Sequence, residues 1–496
     1  MKSVYDMTTF KIQFMRTQLL TTIFVLLSVA LPGLAQKRTF ADAQKVAADF
    51  FQSKDNNAKV CALRVNSKCG RKLLKRAASA TQEATDAYYL FANENNNRLL
   101  VVSGDERMQR ILGYTDHALV GNAIPDGLAD LLEGYAAQYA ALGAVPTTSA
   151  SNAPARSALY KGERQLQTAA WGQWDPFNRM TPQAYPTGCA ATAMAIVMRY
   201  HQWPDVGYGS KTHIWMDSVM TAKFGETHYD WANMPMSYEK FNDTQATAVA
   251  LLMRHLGISV EMYYAAESSG ARQTLVPQAL AQYFRYGSTA RLLTASDYDA
   301  ATWDRMMRKE IDSNRPVIYT GESILGRGAH GFVLDGYRDN LFHFNFGWNG
   351  SGNGYFAISA ITSTDRSFEF ANKQQAVIGI TPLKAENCAP LQLDCQGKYE
   401  GFYTTLTTLK AGEKQSVHLS DLSALTTWQG KMQWNLCRAD GSVVEALGCK
   451  QVQMNGGSTQ SLDFEFAATN NAAKGDYLRL VACTDGSAKW LPVLNA

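Results

Sequence analysis

Long runs of one charge are missing from this chain of 496 residues, whose 47 basic and 44 acidic side chains leave a net charge of +3. Without a basic stripe there is no electrostatic footprint for nucleic acid or for an anionic membrane surface. Cys-x-x-Cys spacings are missing among the eight cysteines, and with them any zinc site legible from spacing. Internal repeats of the kind that bind cell walls are missing as well. The apolar stretch at 19–34 is short for a spanning helix and is interrupted by Thr21, Thr22, Ser28, Pro32 and Gly33. With Lys11 and Arg16 before it and small residues at Gly33 and Ala35, it reads as a secretory signal cleaved after Ala35, starting from Met1 or Met15. A permanent N-terminal anchor is the alternative. Export permits disulfides; Cys61 and Cys69 are a candidate pair, while five cysteines in the tail leave at least one unpaired.

What is present suffices for several cores. At roughly 100–200 residues per domain the length allows about three domains, and the apolar content is 46%. Residues 40–143 read as a small α/β module. It has helical periodicity over 41–51, β-rich runs at 88–91 and 99–103 around a polar hairpin loop, and a second helix carrying Leu128, Leu131, Leu132, Tyr135 and Tyr139. A stretch rich in Ser, Thr, Pro and Ala, 144–158, follows as an exposed, cleavable linker. Residues 159–384 begin helical (190–201, 245–256) and end in strands (316–319, 331–337, 341–346, 354–358), an α+β pattern. Beyond 384 short alternating strands fit a β-sandwich.

The chemistry lies in the central block. In Thr187-Gly188-Cys189-Ala190-Ala191 a cysteine follows a glycine turn where a helix of small residues starts. Unpaired N–H groups there favour thiolate over thiol, making Cys189 a candidate nucleophile. His330, in Ala329-His330-Gly331-Phe332, is the candidate base and acid. Gln173, in Trp171-Gly172-Gln173, offers an amide to an oxyanion beside the Cys189 backbone N–H. Asn345 is the first choice to orient the imidazole, with a backbone carbonyl or Trp348 as alternatives. Trp348, Gly328 and Ala329 are expected to line the substrate cleft, with Gly326-Arg327-Gly328 as a flexible loop over it.

These stretches, together with Met198-Arg199-Tyr200-His201-Gln202-Trp203-Pro204 and Phe344-Asn345-Phe346-Gly347-Trp348, resemble the streptopain family of secreted bacterial cysteine peptidases. The Cys189 to His330 spacing also falls within the roughly 130–150 residues of papain-like pairs, although papain's own Cys-Gly-Ser-Cys-Trp signature is absent. The resemblance implies a papain-like two-lobed catalytic domain. It makes Cys189 nucleophile, His330 base and Gln173 oxyanion donor, and replaces a frequent Trp by Phe346. It also implies the division 1–35 signal peptide, 36–156 inhibitory propeptide, 157–384 peptidase and 385–496 accessory β-sandwich. Val120-Gly121-Asn122-Ala123-Ile124-Pro125 is the loop expected to enter the cleft. The expected partners are protein or peptide substrates and the chain's own propeptide, with cell-surface attachment through the tail; no metal or cofactor is implied. Competing readings are a peptidoglycan amidase or transglutaminase-like acyltransferase, and a non-enzymatic surface-binding protein.

Overall fold

The computed structural model describes residues 37–68, 71–76, 87–95, 97–143, 160–322, 329–360, 374–383, 393–395, 408–424, 427–456, 458–473 and 475–493. The expected signal peptide, the linker at 144–158 and the Gly326-Arg327-Gly328 loop lie outside them, as do Cys69 and Cys388. Among the described residues no helix is long and apolar enough to cross a membrane.

The central helix Cys189–His201 is, from Ala190 to Met198, Ala, Met, Ile and Val apart from Thr192, with no interior Gly or Pro. Every residue from Ala190 to Met198 is buried, so this helix is apolar all round, as a core helix must be. It ends where Gln202 turns left-handed at φ 47°. Against it runs an antiparallel array: β10 (Val317–Glu322), β11 (Ala329–Arg338), β12 (Leu341–Asn345) and β13 (Gly354–Phe356). Strand β11 is flanked by β10 and β12, with His330 opposite Gly321. The helix Asp243–Ser259 packs on the other side of the Cys189 helix.

Two helices escaped the sequence reading. Leu275–Tyr283 carries Pro277 in its first turn, where the missing N–H costs no intrahelical bond. Ala300–Asp312 is so rich in charge that its buried stripe of Trp303, Met306, Met307 and Ile311 is hard to see among the ionic residues.

The N-terminal module adds strands to the same sheet. The helix Phe40–Gln52 is closed by a capping box between Thr39 and Asp42. It lies on the antiparallel strands β3 (Tyr88–Asn93) and β4 (Arg98–Ser103), which form the expected hairpin. Next to them is β5 (Ile111–Thr115), which pairs with β13 through Tyr114 opposite Tyr355. Among the described residues one sheet of twelve strands therefore runs from the N-terminal module into the central block. The contact is close because glycines make it so: a side chain at Gly113 would meet the Phe356 ring at 2.1 Å, and one at Gly354 the Tyr114 carbonyl at 2.2 Å. The helix Asp126–Gly143 lies over β10 and β11. Its Leu128, Leu131, Leu132 and Tyr135 share one core with Phe332, Phe344, Phe346 and Phe356. Each such leucine contributes at most roughly 1.5–3 kcal/mol to holding the module in place.

The described residues of the tail form two antiparallel sheets over a separate core in which Val417, Leu419 and Phe464 of one sheet meet Met432, Trp434 and Leu480 of the other. It touches the central block where the Arg291 guanidinium lies 4.4 Å over the Tyr477 ring and Lys309 Nζ donates to the Asp440 carbonyl at 2.8 Å. Among the described residues no cluster of metal-ligating side chains occurs.

Candidate active site

The turn before Cys189 admits only glycine. Gly188 has φ 87°, and a side chain there would meet the Met262 sulfur at 2.5 Å. As the residue capping the helix, Gly188 offers no side-chain acceptor, so the first-turn N–H groups stay available to an anion. Thr187 N–H donates to the Gln173 carbonyl at 3.1 Å, which brings the Trp171-Gly172-Gln173 segment back beside the helix start. That segment is fixed by Trp171, fully buried, whose Nε1–H donates to the Pro235 carbonyl at 2.8 Å.

Cys189, Gln173, Ala329, His330 and Trp348 line one cleft of about 840 Å³, with Ser269, Gly270 and Gln273 on the facing wall. The sequence thus brings together five of its seven candidates; Gly328 lies outside the described residues. Asn345 is buried and engaged elsewhere. Its amide donates to Thr168 Oγ1 at 3.0 Å and to the Ala169 carbonyl at 2.9 Å, and its carbonyl accepts from Gly347 N–H at 3.2 Å. In this state it braces the turn leading to Trp348, whereas the imidazole finds its partner on another element.

That partner is acidic and comes from the N-terminal module. His330 Nδ1 lies 2.7 Å from Asp130 Oδ2, and Nε2 lies 3.8 Å from Asp126 Oδ2. Both carboxylates belong to the first turns of the helix Asp126–Gly143, four residues apart on one face. Asp130 is nearly fully buried, which strengthens its hold, whereas Asp126 is more than half exposed. The helix comes this near because Gly127 abuts the Phe332 ring, 2.6 Å from where a side chain would begin. Val120 also lines the cleft, and its N–H donates to Ser351 Oγ at 3.0 Å, so the loop expected to enter the cleft does reach it.

The electrostatics follow from this occupancy. Burial pushes the Cys189 thiol pKa up, against the N–H groups of Gly331, Ala190 and Cys189 itself, and the Asp126 charge adds to the rise. The sequence alone led to the opposite shift, since the helix N-terminus was read without the burial that the folded cleft imposes on the thiol.

Sequence reasoning missed Asp126 and Asp130. Their only local pattern is the i, i+4 spacing that puts both carboxylates on one side of the helix, away from the stripe of Leu128, Leu131 and Leu132. A second missed group is His343, 2% exposed, with Nδ1 2.5 Å from Asp335 Oδ1 and Nε2 3.2 Å from Asp116 Oδ2. Burial pulls its pKa down, but the two carboxylates win and push it up to about 10. Asp116 precedes the cleft loop, so this ion pair crosses between the N-terminal module and the central block.

Comparison with known proteins agrees with this arrangement. Residues 171–356 match the model of the peptidase C10 family, and residues 35–139 that of the Spi protease inhibitor. The thiol protease/hemagglutinin PrtT of Porphyromonas gingivalis is 30% identical over 397 residues, covering 74% of this chain and 44% of that protein. The chain thus spans less than half of that relative. Streptopain of Streptococcus pyogenes is 29% identical over 319 residues, 58% of this chain and 80% of its own length. A solved prointerpain A fragment from Prevotella intermedia superposes with a TM-score of 0.52 at 29% identity, covering 64% of this chain and 99% of that one. With the motif residues gathered in one cleft, these matches place the chain in the peptidase C10 family, the streptopain family of cysteine peptidases.

Proposed function

We propose that this chain is a secreted bacterial cysteine endopeptidase made as an inactive precursor. Residues 1–35 are read as the signal peptide, 36–156 as the inhibitory propeptide, 157–384 as a papain-like catalytic domain and 385–496 as an accessory β-sandwich that attaches the enzyme to surfaces. The observation that carries this reading is the His330 imidazole, in the same cleft as Cys189 yet held by Asp130 of the N-terminal module. A binding protein has no use for such a clasp, and the match of residues 35–139 to an inhibitor of proteases favours peptide-bond hydrolysis over wall-amidase or transglutaminase chemistry.

Release of the propeptide removes both carboxylates from His330 and the Asp126 charge from the neighbourhood of Cys189. The imidazole then pairs with the sulfur, and the N–H groups at the helix start support the thiolate. The thiolate attacks the scissile carbonyl carbon, and the oxyanion accepts hydrogen bonds from the Gln173 amide and the Cys189 N–H. His330 gives its proton to the leaving amine, then takes one from the water that hydrolyses the thioester. Trp348 and Ala329 flank the substrate.

The test is incubation of purified precursor with casein beside a Cys189→Ala version. Self-processing between the two domains and casein cleavage by the first only is the expected result. Processing by both, or no casein cleavage by the unsubstituted chain even after removal of residues 36–156, rejects the reading.

A further inference from the structure

The ribbon formed by β7 (Lys211–Trp215) and β8 (Ser218–Ala222) carries an apolar face left uncovered among the described residues. Ile214 and Val219 are directly opposite each other and are 67% and 69% exposed, while Met216, at the tip, is 63% exposed. All three stay exposed with the described residues of the propeptide and tail in place. Met216 also occupies a left-handed position at φ 50° in a two-residue turn, where Asn or Gly is the ordinary choice. Exposure and backbone conformation are both unfavourable here, and neither serves the fold.

The other face of the ribbon is firmly seated. Lys211 Nζ donates to the Ser259 carbonyl at 3.0 Å, His213 Nε2 lies 3.0 Å from the Met262 carbonyl, and Trp215 Nε1–H donates to the Tyr264 carbonyl at 3.1 Å. Through these contacts the ribbon is continuous with the cleft. Trp215 packs edge-on against Tyr185, the neighbour of cleft-lining Pro186, and the 262–264 segment pairs with cleft-lining Gly270 through Tyr263.

We propose that this ribbon is a docking surface for protein substrates, gripping an extended apolar segment of the polypeptide that runs out of the cleft past Pro186 and Gly270. The inference rests on the peptidase reading and concerns which substrates are preferred. Long chains gain contacts on Ile214, Met216 and Val219 that short peptides do not reach. Binding energy gathered there lowers KM and leaves the chemical step unchanged.

The test uses the processed full-length enzyme and a variant carrying Ile214→Thr, Met216→Asn and Val219→Thr, changes that preserve strand and turn preferences. Cleavage of casein and of a short chromogenic peptide is measured for each. The expected result is a KM for casein raised about five- to tenfold at unchanged kcat, with the short peptide unaffected. Equal KM values for casein overturn the proposal, as does a parallel loss on both substrates. Sedimentation of both proteins provides the second readout: a dimer that the substitutions dissolve overturns it in favour of a second copy as occupant. If the unsubstituted enzyme cleaves neither substrate, the peptidase reading itself fails, and this inference with it.

Discussion

Replacing Asp130 by Asn keeps the size of the side chain and removes the charge that faces His330. The structure puts that carboxylate 2.7 Å from Nδ1 in a nearly closed environment. A hydrogen bond to a charged group contributes roughly 1.5–3 kcal/mol, and 1.4 kcal/mol is a factor of ten in affinity. The isolated segment 36–156 carrying Asp130→Asn should therefore inhibit the processed enzyme roughly 10- to 150-fold less well than the native segment. Asp126, farther away at 3.8 Å and more than half exposed, should matter far less on replacement by Asn, by about fivefold at most. The assay is a titration of the processed enzyme with each segment against a peptide substrate. Inhibition constants within twofold of one another for native and Asp130→Asn segments would refute the idea that this contact keeps the enzyme latent.

Other outcomes follow from the same geometry. Gly127→Leu forces a side chain into the space of the Phe332 and Phe346 rings, so the altered precursor should self-process faster on a gel time course. Gly188→Ala adds a side chain at φ 87° against the Met262 sulfur and should destabilise the protein by about 2–4 kcal/mol, read as a lower denaturation midpoint. Because the folded precursor raises the His343 pKa to about 10 from 6.5, its ion pairs stabilise fully below pH 6.5 and are lost as pH rises through about 10. The melting temperature of the precursor should fall across that window, and less steeply in Asp116→Asn, where one of the two carboxylates is gone.

The proposed catalytic pair was legible because its signals are local. Gly188-Cys189 before a run of small residues, and Ala329-His330-Gly331 opening a strand, each fit one chemical role, and the helix and hairpin periodicities around them match the elements observed. Long-range contacts were not legible. Asp130 is 200 residues from His330 in the chain, and an aspartate in a helix carries no mark of the strand it will face. Asn345 does not meet the imidazole in this state for a related reason: Thr168 and Ala169, brought back by β6 (Glu163–Gln165) beside β11, hold its amide, and a partner that distant in the chain leaves no local mark. The sign of the Cys189 shift likewise depends on burial of the thiol in the assembled cleft, which no local pattern reveals.

Reactivity of one sulfur, before and after the propeptide leaves, addresses the central claim most directly. Precursor and processed enzyme are exposed to an epoxide thiol inhibitor, and labelling of Cys189 is followed by mass spectrometry. The account predicts slow labelling in the precursor, where Asp130 holds His330, and rapid stoichiometric labelling once residues 36–156 are gone. A processed enzyme whose Cys189 reacts no faster than a free thiol would contradict it.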